Sequence, residues 1–261
     1  MNRATFRFYA ELNDFLPQGR RKRAFDYEFN GNPGIKDAIE ALGVPHVEVE
    51  VILANGFPVG FAYRLQDGDR IAVYPVFESL DVGPLIKLRP EPLRNTAFIA
   101  DVHLRKLAHY LRLLGFDTLH ENDYADQEIV GIAAREGRII LTRDRMLLKN
   151  GAVTHGYWVR STDPVEQARE VIQRFDLRRQ VKVFSRCPTC NGEIVPVSKE
   201  EIHERIPPKT ALWLDEYFIC TGCGKLYWRG THYPKLVEKI DAILAGRDRP
   251  IMHTEYGSLS S

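Results

Sequence analysis

Phe98-Ile99-Ala100-Asp101-Val102-His103-Leu104-Arg105-Lys106-Leu107-Ala108-His109-Tyr110-Leu111-Arg112-Leu113-Leu114-Gly115-Phe116-Asp117 is the stretch that decides the fold. Three consecutive apolar residues at 98–100 read as a short buried strand. The period then changes: Leu104, Leu107, Ala108, Leu111 and Leu114 share one helical stripe, which Gly115 ends. Residues 116–119 read as a second strand. Toward the C-terminus the alternation repeats. Asp126 opens a helix carrying Ile129, Val130, Ile132 and Ala133, residues 138–142 and 153–159 read as strands, and Asp163-Pro164 starts a helix that runs to about Phe175. Strands alternating with helices predict a parallel sheet covered on both faces, an α/β domain.

Toward the N-terminus the pattern is different. Residues 4–9 alternate as a strand and 24–29 alternate again after the run Arg20-Arg21-Lys22-Arg23, which predicts an opening hairpin. Pro33-Gly34 precedes Ile35, Ala38, Ile39 and Leu42 at helical spacing; residues 47–53, the turn Asn55-Gly56 and a strand over 70–76 follow. Over about eighty residues this order, with Phe6-Arg7-Phe8-Tyr9-Ala10-Glu11-Leu12, Asn55-Gly56 and Asp67-Gly68-Asp69-Arg70-Ile71, resembles a ubiquitin-like β-grasp domain of the small sulfur-carrier type. A carrier of that type uses a free C-terminal Gly-Gly, whereas this chain continues through Phe77-Glu78-Ser79. The module is therefore read as an interaction domain with a protein partner. The expected division is a β-grasp domain at 1–80, a Pro-containing linker at 81–95, an α/β core at 96–180, a metal ribbon with a closing helix at 181–247, and a tail at 248–261.

Composition bounds the function only loosely. Over 261 residues, 44% are hydrophobic and 27% charged, so the chain is expected to fold, and a formal net charge of +1 does not by itself announce a nucleic-acid binder. No run of eighteen apolar residues and no leader-like N-terminus is present, which predicts a cytoplasmic protein without a membrane span.

Ligands of an open parallel sheet collect outside the carboxyl ends of its strands. Asp101 directly follows one strand, Asp144 follows the strand 138–142, and Asp126 starts the intervening helix, so the three carboxylates are expected at one edge. Crowded carboxylates repel unless a cation neutralises them, and oxygen ligands suit Mg²⁺ or Mn²⁺. Such a site suits phosphoryl chemistry, with Thr142 holding a water or a carboxylate. Taken singly, Asp126 is equally a helix-opening residue, Asp144 could belong to a charged turn, and Asp123 or Glu128 could replace Asp126. Arg105, His109 and Arg112 share one face of the first helix beside Lys106, either as phosphate contacts or as an ordinary solvated face.

All four cysteines lie in Cys187-Pro188-Thr189-Cys190 and Cys220-Thr221-Gly222-Cys223, 29 residues apart. Two such knuckles predict one structural zinc ion in a closed four-thiolate shell, with Asn191-Gly192, Gly222 and Gly224 letting backbone N–H groups approach the sulfurs. Tyr217, Phe218, Tyr227, Trp228, His232 and Tyr233 around the second knuckle, mixed with Lys225 and Arg229, are read first as packing and second as a stacking platform for single-stranded bases.

The segment 98–117, then Arg138-Ile139-Ile140-Leu141-Thr142-Arg143-Asp144-Arg145, then the paired cysteines, resemble the PIN-like ribonuclease family named after the C-terminal region of a mutator exonuclease. The resemblance spans roughly 96–240. It implies a PIN-type three-layer core, an acidic divalent-metal site and an appended zinc ribbon; a ubiquitin-like N-terminal domain also occurs in the family. By motif match the acidic roles fall on Asp101 and Asp144, with the middle acid on Asp126, and Lys106 and Arg112 match the family's basic residues. Arg105, His109 and Tyr110 stand where that family often has Gly, Arg and Trp. The expected activity is hydrolysis of RNA by Asp101, Asp126 and Asp144 with Thr142, with Lys106, Arg112, Arg143 and Arg105 at the phosphates. The alternative is an RNA- or ribosome-binding adaptor built on the zinc and β-grasp modules. An aspartyl phosphatase is disfavoured, because position 103 is His rather than a second aspartate.

Overall fold

The structure, a computed structural model, describes residues 1–75 and 96–245, so the expected linker at 81–95 and the tail at 248–261 lie outside the described residues. The chain forms two compact units, one from 1–105 and 118–160, the other from 106–117 and 161–261.

The first unit contains two sheets. Strands β1 (Asn2–Phe8), β2 (Phe25–Phe29), β3 (Val49–Ala54), β4 (Phe57–Val59) and β5 (Arg70–Pro75) form a five-stranded sheet in the order β2-β1-β5-β3-β4, with helix α1 (Ile35–Ala41) inserted after the first hairpin. The β1 and β2 strands are antiparallel, whereas β1 and β5 are parallel. This is the β-grasp arrangement that the order of elements predicted. Its core follows from period-two alternation on β1, where Ala4, Phe6 and Phe8 point inward onto Ile35, Ala38 and Ile39 of α1. The first connection differs from the expected basic turn. Two 3₁₀ turns, Ala10–Phe15 and Gln18–Arg20, occupy it. Buried Asn13 organises it by donating to the carbonyls of Phe8 and Ala10 and accepting from the N–H of Lys22.

The second sheet has the order β7-β6-β8-β9, from β6 (Ala97–Ala100), β7 (Asp117–Leu119), β8 (Ile139–Thr142) and β9 (Gly156–Trp158). Pairing of β6 with β8 and of β8 with β9 is parallel. Phe98, Ile99, Ala100, Ile139, Ile140 and Leu141 are all buried, as a continuous apolar run in a parallel sheet requires. Helix α3 (Asp126–Glu136) packs Ile129, Val130 and Ala133 into a cluster with Ile99 and Ile140. Gly137, at φ 65°, ends α3 in the left-handed conformation that spares a Cβ clash.

The two sheets of this unit are joined by polar bonds as well as by apolar packing. His46 places Nε2 3.0 Å from the carbonyl of Val153 and Nδ1 2.6 Å from Glu40 Oε1. Lys149 Nζ donates to the carbonyl of Glu40, and buried Glu48 accepts the N–H of Trp158 at 2.7 Å. Val47 enters the apolar cluster of Ile99 and Ile140.

The second unit holds helix α2 (Arg105–Leu113) after its first residue, helix α4 (Pro164–Arg174), and a ribbon of antiparallel strands β10 (Ile194–Val197), β11 (Tyr217–Cys220) and β12 (Leu226–Tyr227). It also includes the short helix α5 (Pro208–Ala211) and the closing helix α6 (Tyr233–Leu244). Asp163 caps α4 as expected, its side chain accepting from the N–H groups of Val165 and Glu166. Among the described residues, no helix is long and apolar enough to cross a membrane.

Candidate functional site

The parallel register of β6 and β8 sets Ala100 opposite Leu141, so the next residues, Asp101 and Thr142, emerge side by side at the carboxyl ends of neighbouring strands. The N–H of Asp101 donates to the carbonyl of Leu141 at 2.9 Å. Asp101 starts a 3₁₀ turn (Val102–Leu104) but its side chain caps nothing there. Instead Asp101 Oδ2 accepts the Thr142 hydroxyl at 2.6 Å, and Thr142 Oγ1 accepts the N–H of Asp144 at 2.9 Å. Thr142 is 0% exposed and Asp101 7%, so this pair is held in a water-poor setting that strengthens its hydrogen bond. Asp144 lies in the exposed turn that follows, where Oδ1 accepts the N–H of Met146 at 2.7 Å. Among the described residues, each of these two carboxylates has one oxygen held by a protein donor, leaving Oδ1 of Asp101 and Oδ2 of Asp144 to a further ligand. Carboxylate and hydroxyl oxygens are the donor set a hard divalent cation takes.

Asp126 is placed differently. Ala125 is the N-cap of α3, and Asp126 is the first helical residue, exposed, where a carboxylate also favours the helix dipole. Asp123 and Glu128 are exposed nearby in sequence. The three aspartates are not a closed cage: among the described residues, the group of three or more potential ligands whose donor atoms all lie within 4.8 Å of one another is the cysteine tetrad.

The basic residues divide. Arg105 and Lys106 are exposed at the start of α2. Arg112 is only 7% exposed, and its Nη1 donates to the carbonyls of Pro188 and Thr189 in the first cysteine knuckle, at 3.3 and 3.0 Å. Arg143 is exposed but donates to the carbonyl of Arg160 at 2.8 Å. Sequence reasoning passed over His120. It follows β7 as Asp101 follows β6, is 8% exposed, and sets Nε2 3.1 Å from the carbonyl of Val102. Its position directly after a strand is the signal that could have found it.

In the second unit, Cys187, Cys190, Cys220 and Cys223 converge, with Sγ separations of 3.7 Å for Cys187–Cys223 and 3.3 Å for Cys190–Cys220. A tetrahedral ion with ~2.3 Å bonds to thiolates spaces its sulfurs about 3.8 Å apart, so the tetrad needs only a small adjustment to hold one. The N–H groups of Gly222 and Cys223 aim at Cys220 Sγ and that of Cys190 at Cys187 Sγ. A Cβ on Gly192 would lie 2.9 Å from Cys220 Sγ, so only glycine admits this approach. The Tyr227 hydroxyl lies 2.9 Å from Cys187 Sγ. Burial raises the Cys187 thiol, but hydrogen bonds from Tyr227 and the N–H groups of Cys190 and Thr189 outweigh it and bring the pKa down to about 6. Burial and the neighbouring sulfurs push Cys190 up to about 12, against a lowering bond from the Gly192 N–H. Crowded thiols that divide protons so unequally are poised to exchange them for a cation. The expected aromatics pack around this module: Tyr217 is 2% exposed, sits with Ile202, Ile206, Leu226 and Trp228, and donates to the carbonyl of Leu214.

Residues 96–240 match the family model described as the Mut7-C RNAse domain, and residues 1–81 match that described as Mut7-C ubiquitin. A human protein described as an exonuclease mut-7 homolog is 30% identical over 133 residues, which is 48% of this chain and 14% of the relative. The chain thus spans a small fraction of that relative's length. Two solved structures resemble 30% of the chain, both with a TM-score of 0.24. One is small archaeal modifier protein 1 of H. volcanii, 20% identical and covered over 100% of its length; the other is SAMP1 from Haloferax volcanii, 19% identical and covered over 99%.

Proposed function

We propose, since the chain belongs to the family of the Mut7-C RNase domain, that it is a divalent-metal-dependent ribonuclease that hydrolyses phosphodiester bonds at the carboxyl edge of its parallel sheet. The observation that carries this reading is the chain of hydrogen bonds Asp101–Thr142–Asp144, in which a buried hydroxyl ties the Asp101 carboxylate at one strand end to the backbone N–H of Asp144 just past the neighbouring strand end. On this reading the four-stranded sheet with its helices is a PIN-like core, and the working parts are the β-grasp module at 1–80, the nuclease core at 96–180 and the ribbon at 181–247.

Asp101 and Asp144 would hold Mg²⁺ or Mn²⁺, with Asp126 as the third acid. The bound ion would supply Lewis-acid polarisation of the phosphoryl oxygen and a more acidic water. Thr142 occupies Oδ2 of the Asp101 carboxylate, so Oδ1 is the oxygen that would take the ion. Arg143 and Arg105, both exposed, are assigned to phosphate oxygens, where sequence-independent contacts position the strand. Arg112 is assigned to the first knuckle rather than to substrate, because its guanidinium is buried against the carbonyls of Pro188 and Thr189. The tetrad is assigned to structural zinc, because four thiolates leave no open position for chemistry. Thiolates kept reduced for zinc fit a cytoplasmic protein.

The test is cleavage of single-stranded and structured RNA by the full chain in Mn²⁺ or Mg²⁺, beside Asp101→Asn and Asp144→Asn. Cleavage by the wild type that both variants lose supports the assignment, and Asp123, Asp126 and Glu128 variants then decide the third acid. RNA that is bound and never cut would instead make the protein an adaptor.

A further inference from the structure

The loop that carries Asp144 is flanked by two arginines, and both are tied into a cluster that reaches the N-terminal module. Upstream, Arg143 Nη1 donates to the carbonyl of Arg160 at 2.8 Å, and the indole N–H of Trp158 donates to the carbonyl of Arg143 at 3.2 Å. Downstream, the Arg145 guanidinium stacks over the Trp158 ring at 4.0 Å and the Phe15 ring at 5.1 Å, and Nη2 reaches the carbonyl of Asp14 at 3.4 Å. Arg160 closes the ring of contacts: Nε donates to Asp14 Oδ2 at 3.0 Å and Nη1 to the carbonyl of Trp158 at 3.1 Å. Asp14 and Phe15 belong to the 3₁₀ turn Ala10–Phe15, which is part of the β-grasp module, and Phe15 is 4% exposed in that module's core.

The electrostatics give this cluster a direction. Arg145 and Arg160 are like charges gathered over the same two rings, a geometry that is costly unless an anion and aromatic faces offset the repulsion. Asp14 supplies one anion to Arg160, alongside the nearby charge of Glu48, and its backbone carbonyl to Arg145. Without Asp14 the repulsion between the two guanidiniums is less fully offset, and the pair loses a fixed anchor. The loss falls on the residues on either side of Asp144.

We propose that Asp14 and Phe15 of the N-terminal module are positioning residues of the acidic site, holding Arg145 and Arg160 and, through them, the loop that presents Asp144 beside Asp101. The module then acts as a fixed brace of the active site rather than as a tethered recruiting domain. The proposal rests on the ribonuclease reading for its catalytic consequence, but its structural half is testable apart from catalysis.

The full chain is prepared as wild type, Asp14→Ala, Asp14→Asn, Phe15→Leu and Asp144→Asn. Two quantities are read: kcat and KM for Mn²⁺-dependent RNA cleavage, and hydrogen exchange of the backbone amides of Asp144 and Met146. A misplacement of about 1 Å in a catalytic group is expected to lower kcat about tenfold or more in Asp14→Ala, with KM within about twofold of wild type. Exchange at Asp144 and Met146 should quicken while the strands β6 and β8 stay protected. Asp14→Asn, which keeps an acceptor for Arg160 but removes the anion, should recover only part of the loss, and Phe15→Leu, which keeps the anion but removes one ring face, should lose less than Asp14→Ala. A wild-type kcat in Asp14→Ala, or faster exchange spread evenly through the unit, would overturn the proposal. If Asp144→Asn cuts as well as wild type, the ribonuclease reading fails instead. The exchange data then decide alone: quickened amides at Asp144 and Met146 in Asp14→Ala keep the brace, and unchanged ones remove it.

Discussion

Replacing Thr142 by valine removes the hydroxyl that bridges the two aspartates and leaves shape and volume nearly unchanged. The hydroxyl donates to the Asp101 carboxylate at 2.6 Å and accepts the Asp144 N–H at 2.9 Å, and the side chain is 0% exposed. Losing a hydrogen bond to a buried charged acceptor costs about 1.5–3 kcal/mol, because the carboxylate keeps its desolvation penalty and loses its donor. The Asp144 N–H lies in an exposed turn and can rebond to water, so its loss adds roughly 0.5–1 kcal/mol. The extra methyl of valine offsets about 0.8 kcal/mol of this. The net loss is about 1–3 kcal/mol, and at ~2–4 °C per kcal/mol for a unit of this size the melting midpoint should fall by roughly 2–12 °C. Thr142→Ser keeps both bonds but deletes a buried methyl worth about 0.8 kcal/mol, so it should melt roughly 2–3 °C below wild type on the same scale. Circular dichroism melts of the two variants, with RNA cleavage measured well below either midpoint, separate stability from activity. Thr142→Val should lose cleavage even where it is fully folded, because Asp101 is no longer held in one orientation. A valine variant that melts and cuts like wild type would refute the bridging role of the hydroxyl.

Other outcomes follow from the cysteine module. Tyr227→Phe removes the hydroxyl from Cys187 Sγ and should weaken zinc affinity about 10–100-fold, read by competition with a chromophoric chelator. Gly192→Ala drives a methyl to 2.9 Å from Cys220 Sγ; the variant should purify with substoichiometric zinc, which metal analysis by mass spectrometry would show or deny. In the metal-free protein the Cys190 thiol stands at about 12 and is protonated at neutral pH, so zinc uptake should release protons. Calorimetric titration at pH 7.5 in two buffers of different ionisation enthalpy checks this: equal heats in both would contradict it.

The parts of the fold set by local period were open to sequence reasoning. The change from an apolar run at 98–100 to a helical stripe, Asp163-Pro164 as a helix start and Gly137 as a helix stop all appear where their local chemistry puts them. The meeting of Asp101 with Thr142 was likewise legible, because parallel strands end side by side and the residue after each end must emerge there. What needed coordinates were the long-range partners. Spacing grouped Arg105, His109 and Arg112 on one helix face, yet Arg112 finds its acceptors 76 and 77 residues away and is buried by them. Periodicity says which side chains share a face, but not where that face turns from water to protein. The same limit hid the connection after β1, where the side chain of Asn13 folds the segment in place of a tight basic turn. Asp126 shows a finer version of the problem: Ala125 takes the capping position, since an extended backbone there suffices without a side-chain bond.

The seam between the two sheets of the first unit joins residues far apart in the chain, His46 to Val153 across 107 positions and Asp14 to Arg160 across 146. During synthesis the N-terminal sheet leaves the ribosome before its companions exist, with Val47 still lacking the apolar cluster it enters. Such distant closures are slow to form, because the loop entropy is lost before the contacts compensate it. Closure of this seam is therefore among the last events of folding, and a nascent chain halted before Arg160 carries the N-terminal sheet without the Asp14–Arg160 tie to its companion. On the ribonuclease reading, this architecture would tie the appearance of activity to the completion of translation through this region.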